Sequence, residues 1–474
     1  MSHKKHHAAS KRVRVQSPHA LFDAPGKEIE LTAERMTYGS DAIAHDSEGK
    51  TVFVGGAVAG DRVRAKVYQD GPSFSKAITL EVLSPSPNRV ASPCPYAGIC
   101  GGCPWAILSR DAQLAAKRAN VVDSLRRIGH FSTQEAEKLV HPCESPSDPW
   151  GYRNKIELAF SQSVGRTLVG MHGTDPSQVV KVDACPLLDS RHKGAVKSVA
   201  GALSYLASSD DLGLDRVGIR IAKNTRDIEV ALWGQPGPFP RSQVAKVLGD
   251  ALHPTSVVHV LSKGPAKARR VTGVEVLAGK GHWDERICGQ TMSLSAPSFF
   301  QVNTAGAERL IELVLEGLEP TEDAEAMDLY CGAGTFTLPL AERCGFVSSV
   351  EAYGPAVRDL RRNLDNAGMD NVDPVGGDAG REFPETDADL IVVDPPRAGL
   401  APDVVKKLSA QPARKIAYVS CDPATLARDL ARFREIGAFE PVSVTPVDLF
   451  PQTFHVENVT ILERRYAYRS QAAL

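Results

Sequence analysis

The chain has 474 residues, 42% of them hydrophobic and 24% charged, with a formal net charge of −2. These values fit about two to four globular domains and exclude a disordered, collagenous or globally basic chain. No apolar run approaches the ~20 residues of a membrane helix, and no secretory signal opens the chain, so the sequence predicts a cytoplasmic protein with no membrane partner.

Residues 1–22 are polar and basic, with no acid before Asp23, and read as a disordered tail. From 23 to 86 the runs "IELTAERM", "GKTVFVGG", "DRVRAKVYQ" and "KAITLEVL", split by glycines and turns, predict a small OB-like β-barrel. The proline-rich "SPSPNRVASP" (84–93) marks a boundary. Residues 87–295 read as an α+β domain. A cysteine-rich patch at 94–103 comes first, then a helical stretch at 105–138 that is a candidate to pack on the C-terminal domain. β-type runs from "NKIELAF" to "TMSLSA" alternate with helices after it. "KGPAKARR" (263–270) and the N-terminal tail are the best basic patches, and both read as solvated charge.

From 296 to 474 the rhythm becomes strand–loop–helix, with strands "EAMDLY", "FVSSVEA", "ADLIVVD" and "KIAYVS", and closes on a hairpin, "FEPVSVTPVDLF" with "HVENVTILERR". Successive βα units predict a doubly wound parallel α/β sheet with ligands at the carboxyl ends of its strands. The chain is thus multidomain.

"MDLYCGAGTFTLPLA" (327–341) runs a strand into a turn where Gly332 and Gly334 admit close approach of a ligand. Phe336 and Thr337 occupy the place of the third glycine of the dinucleotide fingerprint, so a pyrophosphate is not expected. Glu351, Asp378 and Asp394 end successive strands. One such acid is an ordinary helix cap, but three together point to an adenosine-type ligand without phosphates, and S-adenosylmethionine fits better than NAD.

"DPPR" after the strand "LIVV" is similar to the acidic Pro-Pro turns of amino-group methyltransferases, which need no cysteine. Here the next strand delivers Cys421 in "YVSCDPATLARDL", ahead of a helix begun by Pro423 and carried by Leu426, Leu430 and Phe433. A helix N-terminus favours the thiolate, although a lone cysteine is more often a buried structural thiol. Thiol, acids and methyl donor together suit carbon methylation of a pyrimidine. A thiolate adds to carbon 6 of uracil, carbon 5 takes the methyl group, a base removes the carbon-5 proton, and the thiol leaves. Glu457 in "FPQTFHVENV" is a plausible base, with His455 as an alternative. Arg397 is placed to support the enolate or a phosphate, or simply to pair with Asp394.

"SFFQVN", "DLYCGAGTFTLPLA", "VVDPPRAGL", "YVSCDPATLARDL" and "FPQTFHVENV" resemble the RNA uracil-5 methyltransferase family in order and spacing, over roughly residues 30–463. "TYGSDAIAHDSEGKTVFVGGAVAGDRV" is similar to that family's RNA-binding TRAM barrel. The resemblance implies a class I methyltransferase domain, Cys421 as nucleophile and Glu457 as proton acceptor. It implies Gln301, Tyr330, Glu351 and Asp394 as S-adenosylmethionine contacts, with Thr335 and Asp378 at further cofactor positions. Pro104 and Trp105 follow "CGGC" where the family usually has a glutamine nearby.

Cys94, Cys100 and Cys103 form C-x5-C-x2-C, a metal or cluster signal. Cys143 and Cys185 are both available as a fourth ligand, and spacing does not choose between them. The family resemblance implies Cys185, in "DACPLL", and a 4Fe-4S cluster, with zinc as the alternative. Cys288, Cys331 and Cys344 read as structural. The expected function is methylation of carbon 5 of an RNA uridine through a covalent cysteine–uracil intermediate, with 23S ribosomal RNA favoured over transfer RNA and a monomer as the default. An amino-group methyltransferase, an iron–sulfur redox enzyme and an RNA-binding module with a decayed site are the competing classes.

Overall fold

The computed structural model describes residues 26–465 except 164–165, 210 and 265–269. The basic tail and most of "KGPAKARR" lie outside these residues.

An N-terminal sheet comes first, made of β1 (Glu28–Thr32), β2 (Arg35–Met36), β3 (Ala42–His45), β4 (Thr51–Gly55), β5 (Arg62–Asp70) and β6 (Phe74–Ser84). Its order is β1-β5-β6-β4-β3-β2, and "IELTAERM" is two strands rather than one. Alternation along β4 puts Val52 and Val54 into a small core with Leu31, Val63 and Ala65, which Trp105 closes from outside the sheet.

Helices α1 (Arg110–Arg127) and α2 (Thr133–Leu139) follow. Ser132 and Glu135 form a capping box that starts α2. Val121, Val122 and Leu125 of α1 join the core beneath the C-terminal sheet, while Ala112 and Ala116 near its start pack on the core of the N-terminal sheet.

The second sheet contains β7 (Lys155–Ser163), β8 (Arg166–His172), β9 (Val179–Val180), β10 (Leu214–Ile221), β11 (Ile228–Gly234), β12 (Ser256–Lys263) and β13 (Arg270–Gly279). Helices α3 (Ala195–Leu206) and α4 (Arg241–Leu252) cover it; Val196, Val199 and Leu203 face Leu158, Val217 and Ile219. "TMSLSA" is not a strand of this sheet. It forms β15 (Gln290–Leu294), paired only with β14 (Trp283–Ile287). Trp283, Ile287, Met292 and Leu294 are buried against the C-terminal core. A boundary at residue 295 therefore cuts through this packing, because apolar partners rather than chain order decide where a hairpin belongs.

The C-terminal unit comprises α5 (Thr304–Leu318), β16 (Glu325–Leu329), α6 (Thr337–Ala341), β17 (Phe346–Glu351), α7 (Gly354–Ala367) and β18 (Val372–Gly376). It continues through β19 (Leu390–Val393), α8 (Pro402–Ala410), β20 (Lys415–Ser420), α9 (Pro423–Ile436), β21 (Phe439–Val447) and β22 (Glu457–Arg464). The sheet order is β18-β17-β16-β19-β20-β22-β21. The first five strands are parallel, and β22 runs antiparallel between β20 and β21. "LIVV" and "IAYVS" are buried throughout, as strands covered on both faces require. The polarity of β22 brings its first residues to the edge where β16, β17, β19 and β20 end.

Candidate active site

β20 is locked by its ladder to β22, which runs from Lys415↔Glu463 to Ser420↔Asn458. The next step of that register sets Cys421 opposite Glu457, and the Asn458 side chain donates to the Ser420 carbonyl at 3.2 Å. Asp422 caps α9, accepting from the Ala424 and Thr425 amides, and Pro423 occupies the first turn. Cys421 is thus held between a strand end and a helix cap. It is half-buried.

Its chemical state differs from the sequence expectation. Burial, then Glu457 and Asp394, push the Cys421 thiol up to about 12, and Arg397 only partly opposes this. The helix dipole is already engaged by the Asp422 carboxylate, so little of it reaches the sulfur. Glu457 is 3% exposed. Burial and Asp394 hold its carboxyl well above the usual range, against Arg397.

Arg397 is exposed and, among the described residues, makes no ion pair with Asp394. Its loop is pinned from α9: Asp429 accepts from the Leu400 amide at 2.8 Å, and Arg428 donates to the Ala398 carbonyl at 2.7 Å. Burial lowers His455 to about 4, so it is neutral at pH 7 and a weak proton acceptor. It packs on Phe454 with ring centroids 4.2 Å apart.

Beside the thiol, the ends of β16, β17 and β19 hold Tyr330, Glu351 and Asp394. Glu351 accepts from the Gly332 amide at 2.9 Å and the Tyr353 amide at 2.6 Å. This ties the glycine turn to the neighbouring strand. Gly332 and Gly334 both have positive φ, and so does Tyr330, at 65°. A tyrosine in that region is strained, as residues at ligand sites often are. Burial and Glu351 raise Asp394 to about 7. Asp328, inside the apolar run of β16, lies close to Asp394 and Glu351. Burial raises it to about 7 despite a 2.7 Å hydrogen bond from Thr337. Among the described residues no cation pairs with Glu351, Asp378 or Asp394. The Asp378 carboxylate accepts from the Gly380 amide at 3.0 Å, and its charge reaches Tyr330. Thr335 stands, half-buried, in the glycine turn.

Gln301 precedes α5, and its main-chain carbonyl accepts from the Asn154 side chain at 3.0 Å. Its segment is clamped by Arg220, which donates to the carbonyls of Ser295 at 3.0 Å and Ser298 at 2.6 Å, and by Asp359, which accepts from the Ser295 amide at 2.9 Å. The Gln301 side-chain oxygen is buried without a hydrogen-bond partner. A buried acceptor left open suits a ligand that brings a hydroxyl or amino donor.

Cys94, Cys100, Cys103 and Cys185 line one cavity together with Tyr96, Ile156, Met171 and Val182. Burial, then the neighbouring thiols Cys185, Cys100 and Cys94, push Cys103 up to about 12. Cys143 is elsewhere, beside Lys117 and Arg110. Among the described residues no three His, Cys, Asp or Glu side chains form a ready-made ion site.

A family model for tRNA (uracil-5-)-methyltransferase matches residues 286–386 and 379–465. An "uncharacterized RNA methyltransferase" of Thermosynechococcus vestitus is 32% identical over 92% of this chain and 98% of its own length. One from Gloeobacter violaceus is 33% identical over 95% and 99%. One from Streptomyces avermitilis is 34% identical over 92% and 98%. Among solved structures, the Pyrococcus abyssi tRNA (uracil-54, C5)-methyltransferase, in complex with S-adenosyl-L-homocysteine, superposes with a TM-score of 0.70 at 24% identity. The match covers 92% of this chain and all of that one.

Proposed function

This chain belongs to the RNA uracil-5 methyltransferase family, and from that premise we propose that it methylates carbon 5 of a uridine in 23S ribosomal RNA through a covalent adduct to Cys421. The observation that carries the reading is the β20–β22 register, which sets Cys421 against Glu457 at the edge where the unpaired carboxylates gather.

The adenosine of S-adenosylmethionine suits Glu351 and Asp378, and its cationic end suits Asp394, Gln301 and the strained Tyr330 turn, with Thr335 alongside. When bound, it supplies an electrophilic methyl group. The Cys421 thiolate adds to carbon 6 of the uracil, and Arg397 is placed to offset the negative charge that develops on the ring oxygens. Carbon 5 takes the methyl group, Glu457 accepts the carbon-5 proton, and the adduct collapses with loss of the thiolate. A carboxylate whose proton affinity is raised is the stronger base once ionised.

The four thiols that line one apolar cavity support the reading of a 4Fe-4S cluster, with zinc as the alternative. The chemistry it would supply there is a structural cross-link between the 94–103 loop and the strand that precedes Cys185. Residues 23–86 are read as the TRAM barrel and 87 to about 282 as the central unit, with the hairpin β14–β15 assigned to the methyltransferase unit. A second reading, transfer RNA as substrate, draws on the Pyrococcus neighbour.

The test uses full-length protein with S-adenosylmethionine and separate ribosomal and transfer RNA transcripts containing 5-fluorouridine. Fluorine cannot leave carbon 5 as a proton, so a methylated adduct should be trapped on Cys421 with the ribosomal transcript. Trapping on transfer RNA alone would move the substrate to the second reading. An equal yield from Cys421→Ala would overturn the mechanism.

A further inference from the structure

We infer that Tyr38, carried by the N-terminal sheet, is a positioning residue for the Cys421 thiol, so that this sheet takes part in the reaction as well as in any grip on RNA. The inference rests on Cys421 being the nucleophile. The Tyr38 hydroxyl donates to the Cys421 main-chain carbonyl at 2.9 Å, across 383 residues of chain. That carbonyl belongs to the peptide unit linking Cys421 to Asp422, the cap of α9, and Cys421 itself follows directly on Ser420, the last ladder partner of β20. The orientation of this peptide plane sets the direction in which the Cys421 Cα–Cβ bond aims the sulfur. A donor fixed on the carbonyl therefore restricts the sulfur without touching it.

The tyrosine is itself braced. Its ring meets Phe454 edge-on at 5.6 Å and His455 at 6.5 Å, both in the segment that leads into Glu457. The preceding Thr37 closes the turn through its hydroxyl to the Asp41 carbonyl at 2.7 Å. The following Gly39 carbonyl accepts from Trp105 Nε1 at 3.0 Å. Trp105 is fully buried, and its amide donates to the Gln452 carbonyl at 3.0 Å. Gln452 in turn exchanges side-chain and amide hydrogen bonds with Gln113 of α1. Tyr38 thus reaches the nucleophile from a frame tied into the same loop that delivers the base. Burial, together with Asp422, Cys421 and Glu457, keeps the phenol protonated and hence a donor.

Tyr38→Phe removes the hydroxyl and keeps the ring on Phe454. At saturating RNA and S-adenosylmethionine it should form the 5-fluorouridine adduct roughly tenfold more slowly, the equivalent of one lost hydrogen bond in rate. RNA KM and S-adenosylmethionine affinity should stay within about twofold. Trp105→Phe, which keeps a buried ring but frees the Gly39 carbonyl, should slow the same step by a smaller factor. An unchanged rate in Tyr38→Phe, or a defect confined to RNA KM, would overturn the inference while leaving the nucleophile in place. A parent protein that forms no adduct with any RNA would instead remove the reading on which it rests.

Discussion

At Cys421 the backbone and the side chains act in opposite directions. A helix start lies two residues away, yet burial, Glu457 and Asp394 make the resting thiol a poor nucleophile. The order of these effects is testable. Asp394→Asn removes a like charge, which lowers the thiol pKa and increases the thiolate fraction. At pH 8, above the Asp394 pKa of about 7, iodoacetamide should alkylate Cys421 in this variant roughly tenfold faster than in the parent, the effect of about one pKa unit. An unchanged alkylation rate would mean that Asp394 does not act on the sulfur. At Glu457 the expectation concerns the later step. Glu457→Gln still permits addition and methyl transfer but cannot take the carbon-5 proton, so methylated adduct should accumulate on ordinary uridine RNA. Electrophoresis under denaturing conditions would detect it, and turnover without adduct would assign the proton to another acceptor.

Among the elements, α1 and the 448–456 segment show what the sequence does and does not disclose. Lys117 and Arg110 of α1 both pair with the buried Asp448, and Lys117 also donates to the Phe450 carbonyl at 3.1 Å. Removing the acid strands two cations, so Asp448→Asn should cost about 3 kcal/mol, read as a lower Tm. Lys117→Met should change stability far less, because it removes the buried charge together with its requirement for a partner. Nothing in the local pattern around Lys117 announces this pair, since its partner lies 331 residues away. The same holds for Tyr38, Trp105, Gln113 and Gln452, whose neighbours look like ordinary turn and helix residues. By contrast, the strands ending in Glu351, Asp394 and Cys421 are legible because each is a short apolar run closed by a polar turn. Strand ends are where a parallel sheet exposes side chains to a ligand. Asp328 is not legible in the same way, because it sits inside such a run, where a charged residue is not expected. "TMSLSA" pairs with β14 and not with the second sheet, a partner the sequence does not disclose because alternation identifies a strand but not what it pairs with.

For the whole molecule, the gathering of unpaired acids has a consequence for stability. Asp328 and Asp394 are raised from an ordinary value of 3.8 to about 7 in the folded chain. Folding therefore favours their protonated forms. Their contribution is fully present below about pH 4 and is lost as pH rises through about 7. The ligand-free protein should show a Tm that falls between pH 6 and pH 8. The fall should be smaller in Asp394→Asn and smaller again with saturating S-adenosylmethionine, whose positive charge offsets the ionised acids. A flat profile in the parent would mean that these carboxyls are solvated.

The strand order carries one more consequence, for how the molecule is made. β22 is the last of the seven C-terminal strands to be synthesised, yet it occupies an interior position between β20 and β21. Until it emerges from the ribosome, β20 has an open edge, β21 has no partner in the sheet, and the thiol lacks the residue that faces it. Nascent chains shorter than this strand therefore carry an aggregation-prone edge, and completing the sheet and bringing Glu457 to face Cys421 become a single event.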